Sequence, residues 1–376
     1  MDDKIKILIV SVLKPADDVR SYHKIGKSLA QTNKYEVNII GFDSKMKAKE
    51  KNISLHPLFK FKRNSISRLF APIKVLKKYI ELKPKLIIVN TPELLPVMMI
   101  IKILFGTKII YDVQENYQLN VKYSTLYSAI KKRLISTYLS TIENLSKYFT
   151  SGYLLAEEVY EKQLEFIDNQ NYITVLNKSI LPVKTEYKPI HIIPNHPINL
   201  VISGTLGREY GTLEGIEYCK YLNKNSYNVT LDIIGYSADN QYLEKIQNSI
   251  KNLSFINDRI ENKPIPQQDI IEVSKKADMA LLPYQLNPNL KDRFPTKIYD
   301  CIALGIPMII PKNANWANFL SQYPASVSID FNSPTKNELK DQLDKKSFYV
   351  QAPGKEIEWI IEEKKLVNFI EKIITK

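Results

Sequence analysis

Residues 292–311 read D-R-F-P-T-K-I-Y-D-C-I-A-L-G-I-P-M-I-I-P. Pro295 pushes Phe294 out of the helical region and is suited to be the first helical residue, and Gly305 is placed to end the helix. A short apolar strand follows at 307–311. Loop, helix and strand in that order are the repeating step of a doubly wound α/β sheet. Asp292 then belongs to the loop and Asp300 to the helix.

The same step recurs upstream. I-N-L-V-I-S-G-T (198–205), N-V-T-L-D-I-I-G (228–235) and M-A-L-L-P-Y (279–284) are continuous apolar runs, as strands covered on both faces should be. A polar, proline-containing passage, L-P-V-K-T-E-Y-K-P (181–189), divides them from an earlier set. That set comprises I-K-I-L-I-V-S-V (5–12), E-V-N-I-I-G-F (36–42), K-L-I-I-V-N (85–90), K-I-I-Y-D-V (108–113) and Y-F-T-S-G-Y (148–153). The chain has 376 residues, more than one core usually holds, so two α/β domains are expected. Such sheets bind ligands beyond the carboxyl ends of their strands, and two in series predict a cleft between those ends.

Hydrophobic residues make up 44% of the chain and charged residues 25%, a soluble globular composition. The run L-L-P-V-M-M-I-I-K-I-L-F (94–105) holds a proline and a lysine and is shorter than the ~20 residues of a spanning helix, so it is predicted to be a buried helix. Cys219 and Cys301 follow no metal-ligand or redox spacing, and the opening M-D-D-K-I-K lacks the basic region of a secretory signal. A cytoplasmic protein is expected.

At the start of the 296–304 helix the amides of Thr296, Lys297 and Ile298 lack intrahelical partners and carry the positive end of the helix dipole, so they can receive phosphate oxygens. Lys297 adds a full charge. Asp300 lies three residues beyond Lys297 and four beyond Thr296, on one face, where its carboxylate can accept hydrogen bonds from ribose hydroxyls. Asp292 can face a sugar from the loop. The same spacing also fits an exposed Lys297–Asp300 ion pair, with Asp292 a solvated loop residue.

The stretch resembles the E-x7-E region of the retaining, nucleotide-sugar-dependent glycosyltransferases of group one (family four), which have the two-Rossmann-domain GT-B fold. Here it stands as D-x7-D, with Trp316 following where such sequences often carry tryptophan. V-I-S-G-T-L-G-R-E-Y-G-T (201–212), I-I-G-Y-S (233–237) and A-D-M-A-L-L-P-Y (277–284) are similar to the family's donor-domain segments. D-D-V-R-S-Y-H-K-I-G-K-S-L-A (17–30), N-T-P-E-L-L-P (90–96) and I-I-Y-D-V-Q-E-N-Y (109–117) resemble its acceptor-domain segments, and E-W-I-I-E-E-K-K-L (358–366) its closing helix. The resemblance implies an acceptor domain over 1–185, a donor domain over 186–350, and a helix at 351–376 crossing back to the first.

It also implies roles. Arg208, Lys297 and the amides of 296–298 would hold the donor diphosphate, Asp300 the ribose and Asp292 the donor sugar. Gly204 and Thr205 would lie against the nucleotide, with Gly235, Tyr236 and Tyr284 beside it. Asp292, Arg208, Lys297 and Gln114 would make up the catalytic set, and Asp18, Arg20, Glu93 and Glu115 would line the acceptor side. This sequence departs from the pattern in having aspartate at both acidic positions and Tyr210 where a lysine is usual, with Arg208 placed to supply that charge. Asn90, Thr91 and Gln114 replace the usual His, Asp and His. Because of Gln114, a nucleotide-sugar-binding protein, epimerase or hydrolase of the same fold is the alternative to a transferase. No two aspartates stand two apart, so the D-x-D metal motif of the other major glycosyltransferase fold is absent and no metal or cofactor is expected beyond the nucleotide sugar, a UDP- or GDP-sugar.

The formal charge of +13 is concentrated in the first half: residues 51–150 hold 17 Lys and Arg against 5 Asp and Glu. Ile66, Leu69, Ile73, Leu76 and Ile80 recur at three-four spacing there, with Arg68, Lys74, Lys77 and Lys78 off that stripe. Two readings fit: a helix on an anionic membrane surface at the inner face of the plasma membrane, serving a lipid-linked or other glycan acceptor, or a helix packed on the core by its stripe with solvated lysines. No nucleic-acid-binding motif appears, and no nucleic-acid partner is expected.

Overall fold

The computed structural model describes residues 4–43, 48–61, 66–124, 127–184 and 186–376. Residues 62–65 of the basic run, the side chain of Ile66 in the predicted stripe, and Thr185 in the proline-containing passage lie outside the described residues. The chain divides into two compact units, Met1–Ile180 with Trp359–Lys376, and Leu181–Glu358.

The first unit is built on seven strands, β1 (Ile5–Pro15), β2 (Tyr35–Phe42), β3 (Ile53–Phe59), β4 (Leu86–Val89), β5 (Lys108–Val113), β6 (Gly152–Leu155) and β7 (Tyr172–Thr174), in the order β3-β2-β1-β4-β5-β6-β7. Each named pairing is parallel. Parallel neighbours need crossover connections, and their right-handedness sorts the helices by direction of travel. Helices α1 (Ala71–Leu82), α2 (Leu95–Phe105) and α3 (Ala129–Ser146), which step from β3 to β6, share one core through Ala71, Val75, Met98, Ile101 and Ile142. The segment 19–31, which travels the other way, is π-helical over Val19–Gly26 and α-helical over Lys27–Gln31. It packs Ile25 and Leu29 into a second core.

A later helix of the chain, Trp359–Thr375, shares that second core through Leu366, Phe369 and Ile370. A Cβ at Gly152 would come within 2.9 Å of Phe369 and Ile373, so the missing side chain admits this helix against β6. Its fully buried Glu362 is neutralised by Lys178 at 2.7 Å and accepts a hydrogen bond from the Leu176 amide at 3.1 Å.

The second unit carries β8 (Ile198–Thr205), β9 (Val229–Tyr236), β10 (Ile256–Glu261), β11 (Met279–Leu281), β12 (Met308–Pro311) and β13 (Ser326–Ile329), in the order β10-β9-β8-β11-β12-β13, with parallel pairings throughout. This is the dinucleotide-fold strand order, whose direction reverses between β8 and β11. Helices α4 (Thr212–Lys224) and α5 (Thr296–Leu304) pack Ile216, Cys219, Ile298 and Ile302 onto it.

Several expectations need correction. The strand predicted at 148–153 starts at Gly152, because the Phe149 and Thr150 amides still bond to the Ser146 carbonyl at 3.1 and 2.9 Å and so belong to the end of α3. The segment 94–105 is helical but not buried: Leu95, Met98 and Ile101 face the core, whereas Ile100, Ile103, Leu104 and Phe105 are exposed. Of the stripe in 66–80, Leu76 packs against the core, but Leu69, Ile73 and Ile80 do not. Residues 66–70 are 3-10 helical, α1 begins at Ala71, and its inward face is Ala71, Val75 and Tyr79, leaving Leu69, Ile73 and Ile80 in solvent. Among the described residues no helix is long and apolar enough to cross a membrane.

Glu143 of α3 is buried, accepting hydrogen bonds from Tyr111 Oη at 3.1 Å and Gln118 Nε2 at 3.2 Å. Burial pushes its carboxyl from 4.5 up to about 7, against those two hydrogen bonds. Across that interval the folded chain keeps a proton that the unfolded chain releases. The stability linked to neutral Glu143 is therefore full below pH 4.5 and lost as the pH rises through about 7. Glu143→Gln keeps the neutral shape at every pH and is expected to exceed the wild type by up to ~3 kcal/mol at about pH 8, with the gain fading toward about pH 4.5. Urea unfolding at both pH values checks this; a gain of the same size at both contradicts it.

Candidate functional site

In the second unit the strand order reverses between β8 and β11, and the segments leaving those two strands converge. β8 ends at Gly204 and Thr205, and a turn through Arg208 leads to Gly211 at the mouth of α4. Gly211 has φ +67°, and a Cβ there would lie 1.7 Å from the Pro283 carbonyl oxygen. No other residue combines that backbone with that approach. The Gln285 amide bonds to the Glu209 carbonyl at 3.0 Å, joining the two segments. Gly235, at the end of β9, comes so near the Gly204 carbonyl that a Cβ would stand 2.1 Å from it.

Above this floor sits the start of α5. Pro295 is extended (φ −60°, ψ 133°) and caps the helix rather than opening it, and Gly305 ends it with φ +62°. The Ile298 amide donates to the Pro295 carbonyl at 2.9 Å, and its side chain is fully buried. The Ile298 amide is thus engaged within the turn, which leaves those of Thr296 and Lys297 at the helix mouth. A Cβ on Gly204 would be 3.5 Å from Lys297 Nζ, so the ammonium lies over the end of β8. Among the described residues Lys297 enters no ion pair. Asp300 is half-buried one turn along the helix, and Asp292 is exposed on the preceding loop.

That loop is held by residues the sequence reading did not single out as supports. Trp316 Nε1 donates to the Arg293 carbonyl at 2.7 Å and Asn313 Nδ2 to the Lys291 carbonyl at 2.8 Å, bracketing Asp292. The fully buried Trp316 ring also meets Tyr284 edge-on at 5.7 Å, and Tyr284 stacks at a tilt on Tyr210 at 5.4 Å. Tyr210, in the position where a lysine is usual, is therefore part of an aromatic wall. Arg208 lies 5.0 Å over the Tyr242 ring with Asp239 3.5 Å away, half-exposed, and Thr205 is exposed while Tyr236 is half-buried. Cys301 of α5 is buried, with its thiol pushed up to about 12 by burial, so it is no nucleophile.

The first unit has its own cluster at the β1/β4 reversal. Asp18 caps the helical segment after β1, accepting from the Arg20 and Ser21 amides at 3.1 and 3.2 Å. Arg20 does not face solvent: it is 3% exposed, and its guanidinium grips Asp112 with three bonds of 2.7–3.0 Å and reaches the Val175 carbonyl and Asn177 Oδ1, both at 2.9 Å. Its place is behind the cluster, holding Asp112, and not on the lining assigned to it above. Asp112 in turn accepts from Gln114 Nε2 at 2.6 Å, and Gln114 Oε1 accepts from the Lys14 ammonium, itself 4.0 Å from Asp18. The amide of Gln114 is thus oriented from both ends. Lys14 and Asp112 were missed, although an acid inside the apolar run 108–113 is a readable sign of a buried partner.

Beside this chain Asn90 Oδ1 and Thr91 Oγ1, at the end of β4, are buried with no hydrogen-bond partner among the described residues, as is Glu93 Oε2. The other Glu93 oxygen pairs with Arg68, and Glu115 accepts from Asn120. Buried acceptors left open at a strand's carboxyl end suit a hydroxyl-bearing ligand.

Comparison with known proteins fits this geometry. Residues 183–345 match the family described as Glycosyl transferases group 1. A search of curated protein sequences gives no match. Among solved structures, a sucrose-phosphate synthase from Thermosynechococcus elongatus is similar with a TM-score of 0.66 at 12% identity, over 99% of this chain and 97% of that one. The catalytic domain of starch synthase IV from Arabidopsis thaliana, bound to ADP and acarbose, gives 0.62 at 11% identity, over 99% and 100%. HepE from Anabaena in complex with UDP-glucose gives 0.58 at 14% identity, over 98% and 100%. The chain has the GT-B fold, and within its second unit residues 183–345 match the model of glycosyl transferases group 1.

Proposed function

We propose that the protein is a cytoplasmic retaining glycosyltransferase that moves a sugar from a nucleoside-diphosphate sugar, a UDP- or GDP-sugar, to a hydroxyl of a glycan or lipid-linked saccharide. The observation that carries this reading is the Lys297 ammonium over Gly204, at the strand-order reversal and beside the open mouth of α5. That is where a pyrophosphate finds a point charge, two amides and a helix dipole together. The group 1 match of the second unit supports a sugar-nucleotide donor, and the neighbour solved with UDP-glucose supports the same class.

In this reading the acceptor oxygen bonds to the anomeric carbon on the face from which the diphosphate departs. The carbon–oxygen bond to phosphate breaks, its electron pair stays on the diphosphate, and the acceptor proton passes to a phosphate oxygen. The protein stabilises charge and fixes positions, without a metal. Lys297, Arg208 and the Thr296 and Lys297 amides hold the diphosphate, Asp300 the ribose and Asp292 the sugar hydroxyls. Gly204, Thr205, Gly235, Tyr236 and Tyr284 bound the nucleotide.

On the acceptor side Asn90 and Thr91 offer open buried acceptors, with Asp18, Glu93 and Glu115 on the segments that follow β1, β4 and β5, and Arg20 positioning Asp112 and Gln114. Gln114 serves neither as acid nor as base, since a carboxamide does not ionise at neutral pH; its role is a fixed dipole.

Two measurements test this. Asp300→Ala and Lys297→Met are each expected to weaken UDP or GDP binding ~10- to 100-fold by calorimetry, the loss of a charge-assisted hydrogen bond, while Asp18→Ala changes it less than about threefold. Equal losses in all three overturn the site. Nuclear magnetic resonance of product formed from a panel of nucleotide sugars and saccharide acceptors should show an unchanged anomeric configuration, with nucleotide release that depends on acceptor. Release at the same rate without acceptor favours a hydrolase instead.

A further inference from the structure

The outer face of the α1–α2–α3 layer is apolar where a helix covering a soluble sheet is normally polar. Ile73 of α1, Ile103 and Leu104 of α2, and Ile130 and Leu134 of α3 each keep roughly two thirds or more of their surface in solvent. On α3, Ile130, Leu134 and Tyr138 follow at i, i+4 and i+8 and are exposed, whereas Leu139, Ile142 and Glu143 are buried. This is an ordered second stripe rather than scattered residues.

The three helices are neighbours. α2 connects β4 to β5, between the crossovers that carry α1 and α3; the Tyr79 and Phe105 rings meet at 5.2 Å across α1 and α2, and α2 packs against α3. Leu69 and Phe70 extend the exposed surface just before α1. In the second unit the exposed large hydrophobics among the described residues are Ile193, Leu286 and Val350, scattered in loops. The asymmetry belongs to one face of one unit.

Charge accompanies it. Lys74 and Lys77 of α1 and Lys131 and Arg133 of α3 are exposed, Lys102 of α2 is half-exposed, and none enters an ion pair among the described residues. The layer's own carboxylates are occupied: Glu81 pairs with Lys78 at 2.6 Å, and Glu143 is buried. Aliphatic side chains flanked by unpaired cations are complementary to one kind of surface, an acyl-chain boundary under negative headgroups. A second copy of this chain is a poor fit, because a two-fold contact would set these lysines against one another.

We propose that the α1–α2–α3 face docks the protein on a bilayer rich in anionic lipid, with Ile103 and Leu104 entering the headgroup boundary. The docking is independent of the transfer chemistry assigned above. The test is co-sedimentation of the full chain with vesicles of phosphatidylcholine containing about 30% phosphatidylglycerol, against phosphatidylcholine alone, at low salt and at about 0.5 M salt.

Binding is expected on the anionic vesicles and to weaken at high salt. Ile103→Asp/Leu104→Asp and, separately, Lys74→Glu/Lys77→Glu are each expected to cut the bound fraction at least ~fivefold, at exposed positions that leave the melting temperature unchanged. UDP or GDP binding should be unaffected in both, which separates failure here from failure of the donor site. Wild-type recovery of either variant, or equal recovery on neutral vesicles, overturns the proposal. So does a dimer seen by light scattering that Ile103→Asp/Leu104→Asp dissociates.

Discussion

Each named strand pairing in the two sheets is parallel, and the rest of the architecture follows from that constraint. Parallel neighbours cannot be joined by a tight turn, so each connection must cross a face, and both faces end up covered. All strands of a sheet then deliver their outgoing loops to one edge. Where the order reverses, at β1/β4 and at β8/β11, successive connections leave on opposite faces and open a gap between them. Asp18 and Asn90 lie at the first gap, Gly204 and Tyr284 at the second. Glycine at 211 lets the segments beyond β8 and β11 close to contact, while glycine at 204 leaves the end of β8 open beneath Lys297.

The first unit meets a different demand. Burying Arg20 and Asp112 strips both of water, at a cost of several kcal/mol per ion that only near-ideal geometry offsets. The bidentate grip, the Val175 carbonyl and Asn177 supply that geometry. What the pair then does is fix Gln114, whose amide hydrogen goes to Asp112 and whose carbonyl accepts from Lys14. A titratable ring in this position would sit between an anion and a cation and feel both. An amide feels them only as orientation.

Much of the fold was legible because central parallel strands are continuous apolar runs: β1, β2, β4, β5, β8, β9, β11 and β12 all fall within the runs read from sequence or one residue beyond, apart from the longer β1. The strands left unread, β3, β7, β10 and β13, lie at the margins of the sheets, where one side is open and composition is freer. β3 carries Pro57 and β10 the polar Asn257, Asp258 and Arg259, choices that a central strand would not tolerate. The α5 segment was readable from Pro295 and Gly305 to within one residue. Helix faces were not: the stripe of Leu69, Ile73 and Ile80 has the right period, but period does not say which side meets the core. Arg20 was placed on the lining because sequence gives no depth, and its partner Asp112 lies 92 positions away.

Both cysteines of the chain lie in the second unit, Cys219 in α4 and Cys301 in α5, fully or almost fully buried, and the first unit has none. Thiols sealed in this way react with a label only when the surrounding core opens. The protein therefore carries a built-in stopwatch for the breathing of its second unit.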